Sequence, residues 1–364
     1  MNRAAFLMTL VALIETGAAS PSPIVPAPLS PTLRIASFRA GPAHCGASER
    51  VPIRVATPLP VASALAGPGE PIRFGFRIDQ DGRPLSIRRI GGPEDPALDI
   101  RDLAPALTAW RFEPGAAQAD CEIAFAVQLD SVDSADESLL FRYAALGRLQ
   151  LPGSGDGALV ARAFVRLRRP GSTCTPDPVP LAPMSLQFQS IPEIPGGISY
   201  SFFSFDVDAE GRPVHIRLLD SSGNGALDVA GDAAIGQARF PAQPRIGCLH
   251  YFFRNSTERV AAPVEPSSDL YPATPACDRE IPWEIATLFR RRYPVEFLRR
   301  PAEGWVIFGY DIAPSGALDN IRILASEPAA RFGEEVSRAA AEVRVKGRAQ
   351  RGCVQRVRFL LPGR

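Results

Sequence analysis

Apolar and polar residues alternate most regularly in three places along the chain. Phe74, Phe76 and Ile78 form the first apolar set, Phe203, Phe205 and Val207 the second, and Phe308, Tyr310 and Ile312 the third. A period of two places one set of side chains on a single face, which describes a strand with one buried side. Each run ends four residues before a glycine (Gly82, Gly211, Gly316). Five residues after that glycine comes an Ile-Arg pair: Ile87-Arg88, Ile216-Arg217 and Ile321-Arg322. Asp81-Gly82 and Glu210-Gly211 supply turn chemistry, because glycine readily adopts φ > 0. The pattern predicts three β-hairpins of one design.

A helical period follows each hairpin. Phe332, Val336, Ala340 and Val343 share a face in the third copy, with Glu334 and Glu335 in the first turn. Leu103, Leu107 and Trp110 do so in the first, where Pro105 has to sit near the helix start. Gly231 and Gly236 weaken the second. A further strand then closes each copy, clearest where Cys121, Ile123, Phe125 and Val127 alternate. "PWEIATLFRRRYP" before the third hairpin reads as another helix, and "ALVARAFVRL" (Ala158 to Leu167) as an added strand. The expected fold class is therefore α+β, with three tandem small units. Each unit would hold a three-stranded antiparallel sheet, two helices and one internal disulfide.

The cysteines keep the same beat. Paired in sequence order, the six are separated by 76, 74 and 76 residues. Six cysteines allow 15 pairings. A threefold repeat with two per copy favours Cys45–Cys121, Cys174–Cys248 and Cys277–Cys353. No C-x-x-C and no zinc-ligand spacing is present.

The 364 residues carry a net charge of +1, which leaves no electrostatic footprint for nucleic acid. Asn2-Arg3, the apolar run Ala4 to Ile14 and the small residues after Glu15 read as a secretory signal peptide. The run is too short for a membrane span, which needs roughly 20 apolar residues. The expected division is a signal peptide at 1–20, a Pro-rich linker at 21–32, unit 1 at 33–129 and a linker or insert at 130–157. Unit 2 at 158–255, a Pro-rich linker at 256–276 and unit 3 at 277–364 follow. Export would place the chain in the periplasm, where disulfides persist.

Several short motifs then add a resemblance. Tyr293-Pro294, Glu303-Gly304-Trp305-Val306 and Gly316 in the third copy, and Trp110-Arg111-Phe112-Glu113-Pro114 in the first, resemble the TonB C-terminal domain family. The second copy keeps Arg239-Phe240 of the last motif, and the third reduces it to Val343-Arg344-Val345. The resemblance implies the family's α+β fold and docking of an extended receptor segment at a sheet edge by β-augmentation. A TonB also has a membrane anchor and a long Pro-rich spacer. The spacer here, as a polyproline II helix, would reach only about 37 Å, so energy transduction does not carry over.

Candidate chemistry is sparse. His44, His215 and His250 share no metal pattern, "GSGDG" (Gly153 to Gly157) lacks the lysine of a phosphate loop, and no nucleophile elbow appears. Asp79, Asp81, Asp206 and Asp208 read as solvated turn residues. No cofactor or metal is expected, nor an enzyme. The expected function is an exported protein that binds envelope proteins or extended peptide segments, outer-membrane receptors among the candidates. The alternatives are an envelope hydrolase with an unrecognised site, an anchored energy transducer, and a degenerate paralogue with covered edges. The candidate partner-binding residues are Val354, Gln355, Arg356, Val357, Arg358 and Phe359, on a last strand that no fourth copy follows. Arg356 and Arg358 there would either discourage pairing or select an acidic peptide.

N-terminal sequencing of the protein from cells is expected to find a start near Ser20 or Pro21. A mature chain that keeps Met1 in the inner membrane would restore the transducer reading.

Overall fold

The alternating runs fold into the hairpins they describe. In the computed structural model, residues 33–149, 157–272, 277, 289, 291–345 and 348–361 are described. The chain is mixed α/β, with five helices among these residues, several small antiparallel sheets and three disulfides. The bridges are Cys45–Cys121, Cys174–Cys248 and Cys277–Cys353.

The first sheet has seven strands rather than three. They are β1 (Arg34–Ala40), β2 (Ala43–Cys45), β3 (Ser48–Arg50), β5 (Val61–Ser63), β6 (Ile72–Ile78), β7 (Pro84–Gly91) and β9 (Gln118–Asp130). The hairpin β6–β7 pairs with β9 through β6, as expected. Short strands stand where a first helix was expected, and β4 (Pro52–Arg54) with β8 (Arg111–Phe112) makes a separate ribbon. The one helix here, α1 (Leu103–Thr108), tolerates Pro105 in its first turn, where a missing N–H costs nothing.

The second sheet runs β11 (Pro213–Ser221), β10 (Ile198–Val207), β12 (Arg245–Asn255). A register shift between Phe202 and Phe203 lets these neighbours bury on opposite faces. Phe203 packs with α4 (Gly225–Gln237). A Cβ on Gly231 would lie 2.7 Å from the Phe203 ring, so the glycine that weakened the helical pattern is what lets α4 approach. Phe202 packs against α2 (Glu137–Leu146) and α3 (Gly157–Leu167). The run at 158–167 is thus a helix and not an added strand. Leu159, Ala163 and Leu167 bury at intervals of four, the signature that its apolar density obscured. The 130–157 stretch contains α2, whose first turn is capped by Asp136 accepting from the Leu139 N–H at 2.7 Å.

The third sheet runs β14 (Leu318–Glu327), β13 (Gly304–Ile312), β15 (Gln350–Phe359). It lies against α5 (Ala330–Glu342), whose Phe332, Val336 and Ala340 are fully buried. The helix read from "PWEIATLFRRRYP" falls mostly outside the described residues, as do the signal peptide and the first linker.

The same local geometry recurs in all three hairpins. Gly82, Gly211 and Gly316 have φ of 73°, 78° and 81°. A Cβ there would lie 2.0, 2.2 and 2.3 Å from the carbonyl oxygens of Phe112, Phe240 and Val345. These three residues also donate their N–H to the glycine carbonyls, at 2.8, 2.9 and 2.7 Å. Turn shape and close approach together admit only glycine. Four residues on, Ser86, His215 and Asn320 take positive φ at a bulge. Their side chains meet Arg77, Asp206 and Asp311 at 3.2, 2.9 and 2.7 Å.

The first and third sheets share one core. Glu327, 4% exposed, accepts from Arg77, from the Ser86 hydroxyl at 2.7 Å and from the Ser86 N–H at 2.6 Å. A second buried charge joins all three regions. Arg300, 1% exposed, donates Nε to Asp102 Oδ1 at 2.8 Å and Nη2 to Oδ2 at 3.0 Å. It also donates to the carbonyls of Thr57 at 2.8 Å and Gly196 at 3.1 Å. Asp102 in turn accepts from the Leu59 N–H at 2.8 Å.

Removing one partner of a buried, hydrogen-bonded pair strands the other. Arg300→Ala is expected to lower stability by about 3–5 kcal/mol, measured by urea denaturation. Arg300→Met combined with Asp102→Leu should recover part of that loss.

Candidate functional site

Strand β15 carries the six candidate partner-binding residues. Its register on β13 places Val357 opposite Val306 and Phe359 opposite Gly304. Val357 is 3% and Phe359 1% exposed, and both belong to the core, so neither side chain faces a partner. Arg356 and Arg358 emerge on the opposite face. There they meet the chain's own Pro-rich segment: Arg356 donates to the carbonyls of Pro266 at 3.1 Å and Ser267 at 3.3 Å, and Arg358 pairs with Glu265. Trp305, beside Arg358 on β13, donates Nε1 to the Pro263 carbonyl at 2.8 Å. The acidic contact expected from a partner is thus supplied within the chain. Val354 is half-buried, and Gln355 donates to the Arg356 carbonyl at 3.4 Å.

The three closing strands differ in what lies along their outer edge. Along β9 lie β1 and β2, in antiparallel register from Ala40↔Phe125 to Ile35↔Asp130 and at Cys45↔Cys121. Along the start of β12 lies the segment from Thr173 to Asp177, where Thr173 N–H reaches the Ile246 carbonyl at 3.0 Å and Leu249 N–H reaches Asp177 at 3.2 Å. Among the described residues, β15 pairs with β13 alone. Cys277 holds the preceding chain at its Cys353 end.

Two bonds define which backbone groups aim outward. The Leu249 N–H, one residue after the strand cysteine, points away from β10. The Ala124 carbonyl, three residues after it, accepts from Gly41 N–H at 2.8 Å. Backbone direction alternates along a strand. Counted from Cys353, the outward groups on β15 belong to Val354, Arg356 and Arg358, and Val357 turns its own toward β13.

The family-like motifs have local structural causes. The Tyr293 hydroxyl donates to the Ala302 carbonyl at 2.7 Å and accepts from the Ala302 N–H at 3.3 Å, fixing the entry to β13. A Cβ on Gly304 would lie 2.3 Å from the Glu327 carbonyl oxygen. Trp110 donates Nε1 to the Ala56 carbonyl at 3.0 Å from a position 2% exposed. The turn carboxylates act locally as well. Asp79 accepts from the N–H groups of Asp81 at 3.0 Å and Arg83 at 2.8 Å, and Asp208 from those of Glu210 and Arg212 at the same distances.

No group of three or more His, Cys, Asp or Glu among the described residues is placed to hold a metal ion. No helix among them is long and apolar enough to cross a membrane. A groove of 1210 Å³ runs past Glu193 and Arg254, which pair with each other. Burial raises the Glu193 pKa, but hydrogen bonds from Thr257, Glu258 and Ser256 outweigh it and hold the carboxylate down to about 2.

His250 lies edge-on to Phe252, with ring centres 4.8 Å apart. Burial lowers its pKa to about 4, against a small opposing pull from Asp177. The unfolded chain therefore binds this proton first as pH falls. Stability should be complete above about 6.5 and decline toward pH 4, by about 2–3 kcal/mol from this residue. Denaturant unfolding at pH 7.5 and 4.5, compared between wild type and His250→Phe, should show a smaller loss in the variant.

No protein-family model matches the chain, and no curated protein is found to be similar to it.

Proposed function

We propose that this chain is an exported binding protein, built from three divergent copies of a TonB C-terminal-like unit, that takes extended segments of envelope proteins along the edge of β15. The observation that carries this reading is the pairing of β1 with β9. There an extended segment lies antiparallel along the closing strand of the first sheet, held by backbone bonds and needing no special side chain. Counted from the strand cysteines, Phe125, Ala126 and Val127, which β1 covers, correspond to Val357, Arg358 and Phe359. The edge of β15 is the same surface without a described strand upon it. β-Augmentation gains affinity from main-chain bonds and selectivity from alternate side chains. It suits a chain whose turn carboxylates bond to their own turns, with His215 at a bulge and His250 packed against Phe252.

Three disulfides fit an oxidising compartment such as the periplasm. The recurrent glycine clamp and positive-φ bulge support descent of the three hairpins from one unit. A partner acidic at alternate positions would compete with Glu265 for Arg358, and this internal contact would set a threshold for docking.

Arg358→Pro removes one outward N–H without touching the buried face, whereas Val357→Pro would break the core and the pairing to β13. Hydrogen exchange on the full chain, with a peptide of the sequence Leu33 to Ala40 added, is expected to show new protection at Val354, Arg356 and Arg358. Arg358→Pro should weaken peptide binding at least tenfold and Arg358→Ala much less. Unchanged exchange along β15, or equal binding by the proline variant, would remove this strand as the docking site.

A further inference from the structure

A cleft of 590 Å³ opens where the first ribbon, helix α2 and the second sheet meet. Among the described residues three arginines line it, Arg54, Arg142 and Arg300, and no aspartate or glutamate does. Arg300 is spent on Asp102 and two carbonyls. The other two are not. The Nε atoms of Arg54 and Arg142 are shut off from solvent and have no hydrogen-bond partner. Among the described residues neither guanidinium makes an ion pair: Asp220, near Arg142, is taken by the Tyr200 hydroxyl at 2.7 Å, and Asp136 caps α2. Glu258 is the acid near Arg54, and it too lies outside the lining. Asp228 is turned to Ser201 and Ser221.

Gly225 and Ala226, the first residues of α4, line the same space. Amides of a first helical turn have no intrahelical acceptor and carry the positive end of the helix dipole. The hydroxyls nearby are already committed as donors, Ser221 to Asp228 and Ser222 to the Tyr200 carbonyl. The cleft therefore offers positive charge and N–H donors, and no carboxylate is among the described residues that line it. Leaving these two Nε donors out of reach of water and without an acceptor is costly in an empty protein. A bound anion would remove that cost and use the bidentate geometry that arginine presents to oxyanions.

We propose that this cleft is a binding site for a ligand bearing a phosphate or carboxylate group, held by Arg54, Arg142 and the amino end of α4. The site is separate from the β15 edge, and neither depends on the other.

The test uses the full chain and two probes, inorganic phosphate and acetate, each against sodium chloride at equal ionic strength. Thermal unfolding is expected to shift upward and saturate with one probe or both, and which probe is stronger identifies the group. A ligand that binds only the folded state stabilises it in proportion to ln(1 + [L]/Kd). Arg142→Gln and Arg54→Gln should each raise the apparent Kd at least tenfold. Unliganded, each variant should melt no lower than wild type, because each loses an Nε donor that is shut off from solvent and has no partner. A purely structural role for these arginines predicts the reverse: lower melting of the variants and no saturable response in wild type. That result, or equal anion responses in wild type and both variants, would overturn the proposal.

Discussion

The fully buried Arg300 guanidinium is the interaction on which the arrangement of the chain depends. It bonds to Asp102 just before α1, to Thr57 in the first region and to Gly196 at the entry to the second sheet. Its own position is fixed by the turn that leads into β13. Apolar packing between the sheets is tolerant of small shifts, whereas four directional bonds to one planar group are not. Such a pair adds little net stability over an apolar replacement, but it selects one geometry among many compact ones. The Glu327 cluster does the same between the first and third hairpins, with Ile87 N–H reaching the Pro328 carbonyl alongside it.

Within that frame the three hairpins solve one problem in one way. A residue three or four positions after each main helix reaches back to the turn glycine and bonds to its carbonyl, so helix end, turn and strands are tied at one point. The disulfides tie the opposite side, joining the chain ahead of each hairpin to the closing strand. With turn and edge both fixed, the surrounding elements are free to diverge. Strands precede the first hairpin, and a helix pair covers the back of the second sheet.

This divergence places the two candidate binding features. An added strand occupies the edge of β9, a short coil the start of β12, and neither type of covering strand is described along β15. The helix pair that buries Phe202 also brings Arg142 beside the second sheet and makes one wall of the anion cleft. Neither feature belongs to a single hairpin, and each arises from what was added around it.

Much of the local structure was legible in the residue pattern. The period of two around Phe74, Phe203 and Phe308 marked the hairpins, because alternation is a local consequence of the pleat. The cysteine spacing marked the bridges, and Gly82, Gly211 and Gly316 marked turns that no other residue fits. Where one short segment had two readings, the pattern failed. "ALVARAFVRL" is dense enough in apolar residues to pass for a strand, and Gly231 looked like a helix breaker until the Phe203 ring was placed against it. The outward direction of Arg358 and the inward one of Val357 followed from alternation, but that Glu265 already holds Arg358 did not. Nor did the convergence of Arg54, Arg142 and the start of α4, which are contributed by three separate stretches. Strand, turn and bridge are set by neighbours a few residues away or by a repeat that can be counted. What lies along each closing strand and which charges meet depends on packing between elements distant in the chain, and only the tertiary structure decides that.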